Sequence, residues 1–136
     1  MMVSTKGRYA IRFMIDLAQQ PENTPVPLDE VAARQNISKK YLESVVKLLV
    51  AGKLVKGTSG KGGGYRLLRR PEEYTVLEIL NVTEGSLATV ACLEENAEKC
   101  PREGFCQTLP MWKGFNKLVN DYFGNITLSD LVNGNL

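Results

Sequence analysis

The strongest constraint on the fold lies between Pro27 and Leu68. A short helical segment starts near Pro27 and carries Asp29 and Glu30 in its first turn, where the helix dipole favours acids. It runs through Val31, Ala32 and Ala33 to about Gln35. After the break Asn36-Ile37, Ser38 is placed as the N-cap of a further helix that reaches about Ala51, with Gly52 as its stop. The apolar stripe of that helix is Tyr41 or Leu42, Val45, and Leu48 or Leu49. Two helices on so short a turn, the second well capped, have the spacing of a helix-turn-helix. Next come Leu54-Val55-Lys56, the stretch Gly57-Thr58-Ser59-Gly60-Lys61-Gly62-Gly63-Gly64, and Tyr65-Arg66-Leu67-Leu68. Two short strands around a glycine-rich tip make a β-hairpin, and here the tip carries a lysine. A helix-turn-helix followed at once by such a hairpin is a winged helix.

The flanks are helical. From about Thr5 to Gln19, Tyr9, Ala10, Phe13, Met14, Leu17 and Ala18 recur at three- and four-residue spacing, and Pro21 and Asn23 end the run. Thr75, with Glu78 three residues on, is a capping-box signature for a helix containing Val76, Leu77, Ile79, Leu80 and Val82. From about Glu84 to Pro110 no period holds. A last long helix spans roughly Pro110 to Phe123, with Trp112, Phe115, Val119 and Tyr122 on one face. Met111, Leu118 and Phe123 widen that face beyond what one small domain covers, which suggests a two-fold partner. Ile126 to Leu131 begins a terminal turn or helix. The expected fold is therefore mainly α with a small β-hairpin, a winged helix-turn-helix plus a long C-terminal dimerisation helix. The expected division is a DNA-binding domain over 1–83, a cysteine-containing loop over 84–108, and the dimerisation helix with its tail over 109–136.

Composition narrows the function. The chain has no histidine, which removes the usual general acid/base of hydrolases, every Ser-His or Cys-His nucleophilic pair, and every His-bearing zinc motif. An enzyme is not expected. Three cysteines, with no signal peptide and no apolar run near 18 residues, read as a cytoplasmic, reducing context without a membrane span.

The net charge is only +2, but its distribution is uneven. Residues 1–70 hold 13 Lys and Arg against 5 Asp and Glu, a net of +8, whereas residues 71–136 hold 4 against 10, a net of −6. A basic half joined to an acidic half suggests that one half meets a polyanion. The cations that would do so lie at the start of the second helix of the helix-turn-helix. Ser38, Lys39 and Lys40 are suited to phosphate or purine acceptors, with Ser44 alongside and Lys47 a turn later. Tyr41 either stacks on sugar or a thymine methyl, or belongs to the core. Glu43 repels phosphate, so it either accepts from a cytosine amino group or pairs with Lys39 or Lys47 at i±4. In the wing, Ser59 and Lys61 sit among glycines that let the backbone come close to DNA. The spacing Gly60-x-Gly62-x-Gly64 lacks a following Lys-Ser/Thr and lies between strands, so it does not read as a nucleotide-phosphate loop.

Cys92, Cys100 and Cys106 lie in the aperiodic segment among Glu94, Glu95, Glu98, Pro101 and Gly104. Structural zinc wants four ligands and a Cys-x2–4-Cys knuckle, and neither is present. A catalytic thiolate wants a basic pocket, and this neighbourhood is acidic. Iron–sulfur ligation accepts wider spacing and a non-cysteine fourth ligand. Three unconnected thiols in a loop, or thiol oxidation, remain as alternatives.

Taken together, these residues resemble the winged-helix transcriptional regulators of the IscR type, which include IscR, NsrR and CymR. The resemblance covers nearly the whole chain and is carried by Ser4-Thr5-Lys6-Gly7-Arg8-Tyr9-Ala10, Val26-Pro27-Leu28, Ile37-Ser38-Lys39-Lys40-Tyr41-Leu42-Glu43, Gly60-Lys61-Gly62-Gly63-Gly64-Tyr65, the cysteine segment and Asn125-Ile126-Thr127-Leu128. It implies a homodimeric repressor whose two winged helices read a palindromic site in double-stranded DNA. By similarity Cys92, Cys100 and Cys106 would hold a 2Fe–2S cluster sensing iron–sulfur, redox or nitric oxide status. CymR-like relatives imply the alternative, a cluster-free regulator controlled by a protein partner or thiol oxidation. Two positions of the cluster's ligand set depart from the family. The fourth-ligand histidine of IscR-like proteins is replaced by Leu109, and the acid that NsrR-like proteins recruit from the first helix is replaced by Arg8. The fourth ligand is therefore unidentified, with Glu94, Glu95, Glu98, Glu103, Gln107, Thr108 or an external small ligand open. The family's arginine at the base of the wing is Ser59 here, with Lys61 nearby to compensate.

Overall fold

A computed structural model describes residues 3–136. It contains six α-helices and one two-stranded sheet among the described residues: α1 (Thr5–Ala18), α2 (Leu28–Gln35), α3 (Lys39–Ala51), β1 (Val55–Thr58), β2 (Gly64–Leu67), α4 (Val76–Glu84), α5 (Leu109–Gly124) and α6 (Leu128–Asn133). Short 3-10 turns occupy Pro71–Glu73 and Ala91–Leu93.

The helix boundaries follow their caps. The Ser4 hydroxyl accepts from the Gly7 amide at 3.2 Å to start α1, and that of Ser38 accepts from the Tyr41 amide at 3.2 Å to start α3. Between α2 and α3, Asn36 takes the left-handed conformation at φ 53°, which asparagine tolerates better than most residues. The Ile37 amide then returns to the Ala32 carbonyl at 3.0 Å, and the Ile37 side chain enters the core. That seals the turn from inside. The stripe of α3 resolves to Leu42, Val45, Val46 and Leu49, all buried, while Tyr41 lies outside. These residues pack with Ala10, Phe13, Met14 and Leu17 of α1 and Val31 of α2 in the main core.

The capping-box expectation at Thr75 holds in one direction only. The Thr75 hydroxyl accepts from the Glu78 amide at 3.1 Å, but the Glu78 carboxylate turns away to the Arg69 guanidinium at 2.5 Å. A long-range ion pair has taken the side chain that would otherwise close the box.

The strands pair antiparallel with Val55 opposite Leu67 and Thr58 opposite Gly64. Val26 forms an isolated antiparallel bridge with Tyr65 of β2, exchanging amide–carbonyl bonds of 2.8 and 2.9 Å. This contact ties the wing to the segment entering α2. Gly64 is required there, because a Cβ would stand 2.4 Å from the Val26 carbonyl.

After α5 the chain returns to the first core. The Ile126 carbonyl accepts from the Val76 amide at 2.9 Å, and the Leu128 amide donates to the Tyr74 carbonyl at 3.0 Å. Leu128 is fully buried with Phe13 and Leu49. Helix α5 is different, for none of its 16 residues is buried. Met111, Phe115, Leu118 and Tyr122 are respectively 56, 46, 69 and 62% exposed. No helix among the described residues is long and apolar enough to cross a membrane.

Candidate nucleic-acid interface and cysteine cavity

Burial of Leu42, Val45, Val46 and Leu49 turns the opposite side of α3 outward. Lys39, Lys40, Tyr41, Glu43, Ser44 and Lys47 are all exposed there, together with Ser38 at the N-cap. Their chemistry is not uniform. The Lys39 ammonium bonds the Asp29 carboxylate of α2 at 2.8 Å, and this contact, ahead of the nearby Glu43 charge, raises the Lys39 pKa. Glu43 itself makes no direct ion pair among the described residues, so neither of its expected i±4 partners takes it. The Ser44 hydroxyl is used locally, donating to the Tyr41 carbonyl at 2.6 Å.

Tyr41 is braced from α1 by an edge-on contact with Tyr9, ring centroids 5.6 Å apart. The Arg12 guanidinium lies 5.2 Å over the Tyr9 ring and also donates to the Gln35 side chain at 3.2 Å and to the Gln35 carbonyl. The buried Asp16 carboxylate completes this joint, accepting from Arg34 at 2.7 Å and from the Gln35 amide at 3.0 Å. Arg12 and Asp16 were not among the residues singled out in the sequence, and Tyr9 and Asp29 stood there only as a helix-face residue and a first-turn acid. Their partners lie on other helices, so no local period signals them.

Ser59 and Lys61 are exposed in the turn that joins β1 to β2, so Ser59 lies at the tip of the wing and not, as the resemblance implied, at its base. Gly60 and Gly62 on either side of Lys61 have φ of 87° and 78°, a tight turn that side chains rarely allow. Arg69 and Arg70 are already engaged, the former by Glu78 and the Tyr74 ring, the latter near Glu72 and Glu73. A cavity of about 400 Å³ between the α1–α2 loop and β2 has these two arginines in its wall. It holds none of the DNA- or metal-directed candidates.

A second cavity of about 270 Å³ brings Cys92, Cys100 and Cys106 together at the start of α5. The three thiols share its wall without converging on a point. Among the described residues no three His, Cys, Asp or Glu side chains are grouped so as to hold a metal ion. Of the oxygen donors left open by the sequence, Glu94, Glu98 and Glu103 line the cavity, whereas Glu95, Gln107 and Thr108 do not. Leu109 lines it too, at the first position of α5, and Lys113 stands one turn further on. Arg8 is exposed on α1, donating to the Thr5 hydroxyl at 3.2 Å. The Cys106 thiol lies 3.4 Å from the Thr108 hydroxyl. This contact, followed by the Thr108 and Leu109 backbone amides, pulls the Cys106 pKa below the ordinary thiol value.

Residues 3–134 match the family described as "Rrf2: Iron-dependent Transcriptional regulator". The HTH-type transcriptional regulator IscR of Pectobacterium atrosepticum is 35% identical over 133 residues, covering 98% of this chain and 80% of that protein. Among solved structures, CymR (YrzC), the global cysteine regulator of B. subtilis, superposes with a TM-score of 0.78 at 34% identity, over 98% of this chain and 97% of that one. T. potens IscR gives 0.77 at 33% identity, over 100% and 89%.

Proposed function

This chain belongs to the Rrf2 family, and on that premise we propose that it is a homodimeric, cytoplasmic repressor that reads a palindromic promoter site and senses iron–sulfur, redox or nitric oxide status through a 2Fe–2S cluster. That it is a DNA-binding transcriptional regulator and not an enzyme follows from the family and from its IscR-like and CymR-like fold. Helix α3, through Ser38, Lys39, Lys40, Tyr41, Glu43, Ser44 and Lys47, and the wing, through Ser59 and Lys61, are the surfaces assigned to DNA.

The observation that carries the cluster reading is the shared cavity. Cys92, Cys100 and Cys106 come from three separate points of the loop and open on one space. Thiolates are the donors that iron–sulfur clusters take, and a two-iron cluster needs its ligands spread over two metals rather than gathered on one. When bound, the cluster would supply a redox- and ligand-sensitive centre. The chain's own part is to hold it against the first turn of α5. That turn leads directly into the apolar face of Met111, Phe115, Leu118 and Tyr122, which we assign to the second copy. The state of the loop is thereby coupled to the spacing of the two winged helices. Glu94, Glu98 and Glu103, which line the cavity, are the oxygen donors best placed to complete the ligand set.

The test is the visible absorption spectrum of protein purified without air. A coloured protein whose charge-transfer bands vanish in Cys92→Ala supports the reading. A colourless protein that cannot be reconstituted and matches Cys92→Ala overturns it.

A second reading, a cluster-free regulator governed by a partner protein or thiol oxidation, is favoured by the three thiols' not being grouped as a metal site among the described residues and by the likeness to CymR. It requires that the wild type show no visible bands; in a variant lacking all three cysteines, unchanged operator binding and regulation then point to the partner protein, and lost regulation to thiol oxidation.

A further inference from the structure

The cations of the α3 surface are not equivalent. Lys40 and Lys47, and Lys61 in the wing, have no acidic partner within ion-pair distance among the described residues. Lys39 alone is held, by Asp29 at 2.8 Å. Asp29 lies in the first turn of α2 and Lys39 opens α3, so the pair bridges the two helices of the helix-turn-helix. Both side chains are open to water, at 72 and 52% exposure, so the contact can exchange with an outside anion. A phosphate oxygen offers Lys39 the same charge-assisted hydrogen bond that the carboxylate offers.

We propose that Asp29 is an internal competitor for the DNA backbone: it occupies Lys39 in the free protein and must be displaced when α3 meets a phosphate, lowering affinity for every DNA sequence alike. Phosphate contact is the sequence-independent part of DNA binding. A competitor for such a contact therefore acts on random and specific sites equally. It limits the hold of the regulator on bulk DNA without touching base readout. The charge of Glu43 near Lys39 does not substitute for Asp29, because it makes no direct contact with the ammonium.

The inference rests on the assignment of α3 to DNA, and its test separates the two. Affinity of the full-length protein is measured by fluorescence anisotropy for a random-sequence duplex and for a duplex selected from that pool, over a range of salt. Asp29→Asn and Asp29→Ser are compared with wild type, each also in a Lys39→Met background. The expected result is a gain of about two- to five-fold on both duplexes at low salt. The log–log salt slope should stay close to that of wild type, since the same phosphate contact forms once Asp29 is displaced. The gain should disappear in the Lys39→Met background. Three outcomes overturn the proposal: no gain, a gain of equal size without Lys39 (plain repulsion by Asp29), or a gain confined to the selected duplex. Wild-type protein with no salt-sensitive affinity for either duplex would instead remove the DNA assignment of α3 itself. Helicity by circular dichroism shows whether the variants are folded.

Discussion

The hydroxyl of Tyr74, beyond the 3-10 turn that follows β2, donates to the carbonyl of Leu54, the residue before β1, at 2.6 Å. The same oxygen accepts from the Leu68 and Arg69 amides at 3.0 and 3.1 Å. Tyr74 is fully buried, so one atom holds together the chain entering β1 and the chain leaving β2. The Arg69 guanidinium covers its ring at 4.3 Å and is fixed in turn by Glu78.

Tyr74→Phe keeps the ring and removes this joint. Three backbone groups lose their partner, so urea denaturation should show a loss of about 1–3 kcal/mol. Hydrogen exchange at Leu68 and Arg69 should accelerate more than at Leu42 or Val45. Equal protection at both places would mean that the wing is held by strand pairing alone.

Asp16→Ala removes the carboxylate that joins α1 to Arg34 and Gln35. Asp16 is 2% exposed while the Arg34 side chain is 39% exposed, so the orphaned cation can still reach water. The expected cost is about 1–3 kcal/mol, below the loss for a fully buried pair. Chemical denaturation measures it, and an unchanged midpoint would make the joint incidental.

Lys61 and Glu43 should separate affinity from preference. Lys61→Ala should weaken binding to all duplexes and reduce the salt slope by about one unit. Glu43→Ala should change which bases are selected from a random pool, since Glu43 has no ion pair to keep it on the helix surface. An unaltered selected sequence would return Glu43 to a solvated surface role.

Leu118→Glu places a charge at the most exposed position of the α5 face, 69% open in the single chain. If that face meets a second copy, sedimentation should show monomers and affinity for a palindromic duplex should fall steeply. A wild type already monomeric at working concentration would count against the dimer.

Leu109→His restores a nitrogen donor at the mouth of the cysteine cavity. The expected outcome is slower bleaching of the visible bands in air or chelator than in wild type. Faster bleaching would indicate that Leu109 shields the site instead of leaving it incomplete.

Local chemistry made much of this molecule readable in advance. Ser38 and Gly52 delimit α3, Asn36-Ile37 marks the turn, and the glycines around Lys61 mark the wing, because caps and turns depend on neighbours only a few residues away. The cysteine segment was recognisable as aperiodic for the same reason. The order of elements, the cations along α3 and the identity of the three thiols were thus legible from local sequence. Tertiary structure alone decided which partners those residues meet. It placed Leu42 and not Tyr41 in the core, turned Glu78 from its own helix cap to Arg69, and gave Lys39 to Asp29. It also returned Leu128 to the core built by α1 and α3 while leaving α5 uncovered. The physical reason is common to all of them: each is a choice between a local partner and one far along the chain, and only the packed fold sets those distances.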